Sequence, residues 1–224
     1  QPDRLSLFNY AHLPERFAPQ RRINAADLPA PGEKLRMLEQ SIMLLTDAGY
    51  RYIGMDHFAL PDDELAMAQE DGSLQRNFQG YTTHGHCDLV GLGVSAISQV
   101  GDLYCQNASD IAAYQQRLDQ NQLATARGLR CNQDDRIRRA VIQSLICDFA
   151  LGFEQLQRDY AVDFRQYFAD AWPMLEQMSA DGLIELSDSH LLIQPAGRLL
   201  VRSICMLFDH YLPEHTNHGF SRVI

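Results

Sequence analysis

The chain of 224 residues has no unbroken apolar run near the roughly 18 residues that a membrane-spanning helix requires. Its opening, QPDRLS, has neither the apolar stretch nor the basic flank of a secretory signal, so the expected location is the cytoplasm and no membrane partner is expected. Basic charge is scarce: 19 Lys and Arg stand against 29 Asp and Glu, for a net charge of -10. Such a surface repels polyphosphate backbones and argues against nucleic acid as a partner. Cysteine is sparse as well. Positions 87, 105, 131, 147 and 205 are odd in number and widely spaced, which argues against a disulfide framework and for reduced thiols. None falls in a CxxC or CxxxCxxC cluster, so the chain offers no iron–sulfur or structural zinc motif. G-x-S-x-G and Walker patterns are also missing. A hydrophobic content of 46% nevertheless fills a sizeable core, enough for one large domain or two small ones.

Along the chain, RLSLFNY alternates as a strand does. Pro31 opens a helical pattern, PGEKLRMLEQSIMLLTDAG, whose Leu35, Met37, Leu38, Ile42, Leu44 and Leu45 recur at helical spacing until Gly49 stops it. YRYIGMDHFAL then reads as a second strand, and strand–helix–strand predicts a right-handed parallel unit. PDDELAMAQEDG forms a helix with acidic residues in its first turn. Short strands are expected around Asp88–Val90 and Leu103–Cys105, and Ser109 and Asp110 start the helix DIAAYQQRLDQN.

Beyond about Arg130 the texture turns helical, which divides the chain into residues 1–130 and 131–224. NQDDRIRRAVIQSLICDFAL is an amphipathic helix capped by Asn132 or Asp134, followed by the short helices FEQLQRDY and DFRQYFADA and by a helix begun at Pro173. A hairpin, GLIEL and LLIQ about Ser187–Ser189, precedes a last helix, AGRLLVRSICMLFDHYL. Helices, a two-stranded wing and a closing helix make a winged-helix-like domain. A DNA-reading role does not suit it: the stretch from Asp163 to Asp181 sets Asp163, Asp170, Glu176 and Asp181 against Arg165 alone, whereas a phosphate-tracking element is basic.

Three groups of residues carry chemistry. GLGVSA, residues 91–96, fits the G-x-G-x-x-G/A dinucleotide turn, but the following ISQVGDLYCQN lacks helical periodicity and holds another glycine. Glycines that permit close backbone approach are the better reading. His84, His86 and Cys87, with Asp88 beside them, could share a metal if His84 and His86 lay on one face of a strand. Gly85 makes a regular strand doubtful, which favours solvated loop histidines. Asp56–His57, at the end of an expected parallel strand, could act as an acid/base pair, yet neighbours on a strand face opposite ways, so a structural role for at least one is favoured. Spacing alone stops at an α/β protein with a helical C-terminal part, and no reaction type follows from it.

LFNYAHLP, YIGMDHFALPDDELA, RNFQGYTT, GVSAIS and the terminal FSRVI closely resemble the C-terminal half of the bacterial oxygen-independent coproporphyrinogen III oxidase family, the coproporphyrinogen dehydrogenases, from residue 1 to 224. The resemblance implies the C-terminal part of a partial (β/α) radical S-adenosylmethionine (SAM) barrel followed by a mostly helical, winged-helix-like domain. It implies two SAM molecules and a [4Fe-4S] cluster, the cluster bound by a CxxxCxxC motif that this chain lacks. The implied reaction is oxidative decarboxylation of two propionates of coproporphyrinogen III to the vinyls of protoporphyrinogen IX, in haem biosynthesis.

Residue by residue, Ala11 and Ile97 match positions that contact the second SAM, with Phe78 and Gln79 close by. Glycines 80, 91 and 93 would supply close approach, Phe78 and Ile97 an apolar wall, and Gln79 a donor and acceptor. No residue is assigned a catalytic or metal-binding role. Read as a fragment, the chain is expected to be inactive alone, to partner the N-terminal half of the same enzyme, and either to self-associate through the exposed edge of its first strand or to rearrange its N-terminal segment. The competing readings are a haem-trafficking paralogue of the same architecture and a non-catalytic module that binds tetrapyrrole or protein. The FQGYTT and GVSAIS strings favour the dehydrogenase.

Overall fold

A computed structural model describes residues 1–212, so the terminal FSRVI string and the end of the 131–224 segment lie outside the described residues. Strand β1 (Arg4–Ser6) leads through a long connection to helix α1 (Pro31–Asp47), then to β2 (Arg51–Gly54) and β3 (His57–Ala59). The sheet order is β1-β3-β2, and β3 runs antiparallel to both neighbours. YRYIGMDHFAL is therefore a hairpin, and the expected parallel strand–helix–strand pair is split by β3. The cause is local. Gly54 (φ 147°) and Met55 (φ 57°) turn the chain left-handedly. A Cβ on Gly54 would lie 2.4 Å from the Tyr81 hydroxyl. Tyr52 closes the turn by donating its hydroxyl to the Met55 carbonyl at 3.0 Å.

The helical periodicity of α1 is realised, but none of its residues is buried, and Met37, Met43 and Leu44 stay more than half exposed. Helix α2 (Glu64–Asp71) starts at Asp63, whose carboxylate accepts from the Leu65 amide, and ends at left-handed Gly72. A tight hairpin follows, β4 (Gln75–Asn77) and β5 (Gly80–Thr82). Strands β6 (Ile97–Val100) and β7 (Leu103–Asn107), helix α3 (Ile111–Asp119) and strand β8 (Thr125–Arg130) complete this half, in an antiparallel sheet ordered β6-β7-β8. Its core gathers Ile53, Ala59, Leu65, Ala66, Ala68, Leu74 and Tyr81, with Cys147 reaching in from the next helix.

That helix, α4 (Gln133–Asp148), is capped reciprocally by Asn132 and Asp135. Left-handed Phe149 ends it and starts β9 (Ala150–Gly152). Helices α5 (Phe153–Tyr160), α6 (Phe164–Tyr167) and α7 (Trp172–Ala180), the hairpin β10 (Ile184–Leu186) and β11 (His190–Ile193), and helices α8 (Pro195–Arg198) and α9 (Val201–Met206) follow. The expected wing has a third strand, β9, in the order β10-β11-β9, and the expected closing helix breaks in two at Leu199–Leu200, where Leu200 leaves helical geometry. Ile137, Val141 and Leu145, spaced four apart on α4, meet Phe164, Phe168, Leu175, Leu191, Ile204 and Phe208 in a second core. Each such side chain contributes about 1.5–3 kcal/mol by leaving water.

The polar side of α4 fastens the two cores together. The Gln143 side chain accepts from the Arg76 amide at 3.1 Å and donates to the Arg76 carbonyl, so one side chain satisfies both backbone groups on the open edge of β4. The Tyr81 hydroxyl donates to the Ile146 carbonyl at 2.9 Å, and Gln69 donates to the carbonyls of Ile53 and Cys147. Replacement Gln143→Ala leaves two backbone groups unpaired in a partly buried position and is expected to cost about 1–3 kcal/mol in chemical denaturation. A loss within a few tenths of a kcal/mol would show that water replaces the amide and that this tie is dispensable.

Candidate functional site

The β4–β5 hairpin presents its two tip residues, Phe78 and Gln79, to solvent. Asn77 fixes the tip by accepting from the Gln79 amide at 2.8 Å. Phe78 is 55% exposed, and its ring stands edge-on to Tyr104 at 5.4 Å between centroids. Ile97 and Tyr104 lie on β6 and β7, and with Leu129 and the edge of Gly128 on β8 they wall an open recess of about 290 Å³ to which Phe78 adds a further wall. Gln106 and Arg127, hydrogen-bonded to each other at 2.8 Å, supply its polar rim.

The structure thus brings together Phe78 and Ile97, which are nineteen positions apart in sequence. Gln79 sits beside Phe78 but is not one of the walls. Ala11 is half-buried in the segment after β1, where its carbonyl accepts from Gln20 at 3.1 Å, and it does not line this recess. Sequence reasoning missed Tyr104, Arg127 and Leu129. A signal existed in TARGLR, which alternates weakly, but Gly128 interrupts it; a Cβ there would meet the Tyr104 carbonyl at 2.9 Å.

The GLGVSA loop leads into strand β6, not a helix. Its backbone is spent on its neighbours: the Gly91 amide donates to Ser98 at 2.9 Å, the Gly93 amide to the Tyr114 hydroxyl at 3.2 Å, and Asn107 donates to both glycine carbonyls. A Cβ on Gly91 would stand 2.6 Å from the Ile97 carbonyl, so that glycine serves the close backbone approach that shapes the recess. His84 and His86 are exposed, with rings 6.4 Å apart, and among the described residues no group of three or more His, Cys, Asp or Glu is arranged to hold a metal ion.

Asp56 and His57 do meet. The Gly54–Met55 turn replaces the extended geometry that would have separated them, and the Asp56 carboxylate stands 2.9 Å from His57 Nδ1. The imidazole packs edge-on against Tyr81 at 5.2 Å, behind Gly80. A Ser187–His190–Glu185 chain, with contacts of 2.9 and 3.3 Å, resembles a nucleophile relay. It lacks a free hydroxyl, because Ser187 also accepts from the amides of Ser189 and His190 in the β10–β11 turn.

A second cavity, a cleft of about 500 Å³, opens against α4, lined by Arg76, Asn77, Arg139, Gln143, Ser144 and Asp148 among others. Asp148 Oδ1 is buried without a partner, and burial pushes the carboxyl up to about 6. Burial likewise pushes the Cys147 and Cys205 thiols up to about 12, so neither is a nucleophile at neutral pH.

The HemN C-terminal domain family matches residues 131–200. The Pseudomonas aeruginosa oxygen-independent coproporphyrinogen III oxidase is 70% identical over 224 residues, covering all of this chain and 49% of that protein. The protein of the same name from Thermostichus vulcanus is 42% identical over 224 residues, and there the chain covers 69% of the relative. The solved structure of the Escherichia coli coproporphyrinogen III oxidase (HemN), described as a radical SAM enzyme, superposes with a TM-score of 0.91 at 51% identity over 95% of this chain and 49% of that one. The fold is therefore mixed α/β, of the class represented by that oxidase. With 42% identity across more than two thirds of a relative, the chain belongs to the oxygen-independent coproporphyrinogen III oxidase family. It spans about half the length of most of the curated relatives it matches.

Asp148 makes a pH dependence testable. Its folded pKa of about 6 lies above its ordinary value, so between the two the folded state binds more protons than the unfolded one, and the group's contribution to stability falls as pH rises. Asp148→Asn is expected to stabilise the protein at pH 7.5 by on the order of 1 kcal/mol, after discounting for partial exposure, and to give no advantage below pH of about 4. Thermal melts of both proteins across that range would contradict this if their difference did not change with pH.

Proposed function

We propose that this chain forms part of an oxygen-independent coproporphyrinogen III oxidase, a radical SAM oxidoreductase that converts two propionates of coproporphyrinogen III to vinyls. Residues 1–130 are read as barrel elements and 131–224 as a winged-helix-like domain, with the rest of the enzyme as the partner of the chain. The observation that carries this reading is the apolar recess in which Phe78 and Ile97 converge. Of the four residues carried by the family resemblance, Phe78 and Ile97 are the proposed cofactor-facing walls and Gln79 stands beside them at the tip, while Ala11, which does not line the recess, is proposed on the resemblance alone.

The recess suits the adenosyl part of SAM. Its volume is at the lower end for small-molecule sites, its walls are mostly apolar, and its rim carries an amide and a guanidinium that can orient a ribose. SAM, when bound and reductively cleaved, supplies the oxidising equivalent for hydrogen removal. This chain's own residues do the positioning: Phe78 and Ile97 exclude water, Gln79 offers a donor and an acceptor at the tip, and Gln106 holds Arg127 at the rim. The five dispersed cysteines do not suit a [4Fe-4S] cluster, and in this reading such a cluster is held by residues outside the chain.

In a polypeptide of the relatives' full length that carries this chain, Ile97→Glu places a charge in the recess and is expected to lower vinyl-product formation at least about tenfold, since burying an unpaired carboxylate costs more than 1.4 kcal/mol. Anaerobic assays of SAM cleavage and of vinyl product on the same samples would locate the defect. Unchanged rates in both would remove the recess from the cofactor or substrate path.

A further inference from the structure

Among the described residues, Arg76 is a cation without a counter-ion. No carboxylate among the described residues lies within ion-pair distance of it, and its Nε–H is buried with no acceptor. Its guanidinium lies over the Tyr81 ring, 5.4 Å from the centroid. That phenol cannot neutralise it, because burial pushes the Tyr81 hydroxyl far above its ordinary pKa. Gln143 clamps the Arg76 backbone on both sides, so the side chain leaves from a fixed point. A partly buried cation held this way is costly unless something of opposite charge completes it.

The cleft against α4 offers room for that partner. Arg139, on its wall, is already engaged with Asp102 at 3.6 Å and with the Tyr104 hydroxyl at 3.2 Å, so it adds positive field while Arg76 remains the open donor. Asn77, Gln143 and Ser144 bring neutral hydrogen-bonding groups to the same space. A metal cation does not fit beside two guanidinium groups. Asp148, in the same cleft, repels a doubly charged phosphate more strongly than a singly charged carboxylate, which also matches the planar donor fork of one guanidinium.

The geometry points to a carboxylate-binding site in the cleft between β4 and α4, with the Arg76 guanidinium receiving one propionate-like arm of the ligand. Its carrier, a tetrapyrrole with propionate side chains, rests on the function proposed above; the carboxylate chemistry does not. The cleft and the Phe78–Ile97 recess both adjoin the β4–β5 hairpin, and Tyr104, on the recess, and Arg139, on the cleft, are bonded to each other.

The test begins on the unmodified chain, so it does not depend on a variant folding. The arginine Nε–H resonances are followed by NMR during titration with propionate to about 100 mM, enough for the weak affinity of a single ion pair, with propionamide as the neutral control. The Arg76 signal, identified by its loss in Arg76→Gln, is expected to move with propionate and stay still with propionamide. Coproporphyrin III and its tetramethyl ester are then compared by fluorescence. The free acid is expected to bind about tenfold more tightly, the worth of one charge-assisted hydrogen bond, and Arg76→Gln to erase that difference. A still Arg76 signal in propionate overturns the site. A moving signal with no preference for the acid porphyrin upholds the carboxylate site and removes the tetrapyrrole as its ligand.

Discussion

A single helix, through two of its faces, decides how the rest of this chain is arranged. Helix α4 supplies Ile137, Val141 and Leu145 to one core and Cys147 to the other, while its amide and carbonyl groups complete hydrogen bonds that the neighbouring elements cannot make themselves. The decisive contact is Gln143 on Arg76. In the antiparallel β4–β5 pair, Arg76 stands opposite Tyr81 with its N–H and C=O turned away from the partner strand. Buried backbone groups must be satisfied, and the Gln143 amide, with one donor and one acceptor, does so as an extra strand would.

From that anchor the local geometry follows in order. With β4 pinned, Tyr81 reaches the Ile146 carbonyl, and the Arg76 guanidinium lies on its ring. The hairpin tip then projects toward β6–β8, where Phe78 meets Tyr104 edge-on. Tyr104 in turn bonds to Arg139, back on α4. The loop closes on the helix where it began, which is how a three-residue strand can carry an exposed phenylalanine in a defined place. Propensity plays little part here; such short strands are held by tertiary contacts.

Sequence pattern revealed those features whose cause is local. The start of α1 at Pro31, the starts of α3 at Ser109–Asp110 and of α4 at Asn132 or Asp134, and the absence of a helix after GLGVSA could all be read from spacing and capping chemistry, and the structure selects Asp110 and Asn132 as the caps. The β2–β3 hairpin could not, because its turn depends on left-handed Met55, which residue type does not announce, and on Tyr81 lying against Gly54. Strands β8 and β9 escaped because each is short or broken by glycine and is held by pairing to a distant partner. The pairing of Phe78 with Ile97 entered only through family resemblance, since nothing in either residue's own neighbourhood points to the other. The cleft around Arg76 was hidden entirely: its walls come from β4 and α4, sixty-seven positions apart at the Arg76–Gln143 contact.

The two cavities that adjoin the β4–β5 hairpin differ in kind, and the difference has a physical use. One is a recess of apolar carbon, which gains from a flat, weakly hydrated body placed in it. The other is a cleft with an uncompensated guanidinium, which gains from an anion and loses from almost anything else. A protein selected for stability alone would pair Arg76 with a carboxylate of its own, and Asp148 stands in the same cleft without doing so. Leaving both groups unpartnered is a standing cost, and such costs persist where binding repays them. An apolar moiety suits the recess and a carboxylate suits the cleft, so the two cavities beside one hairpin select for different chemistries.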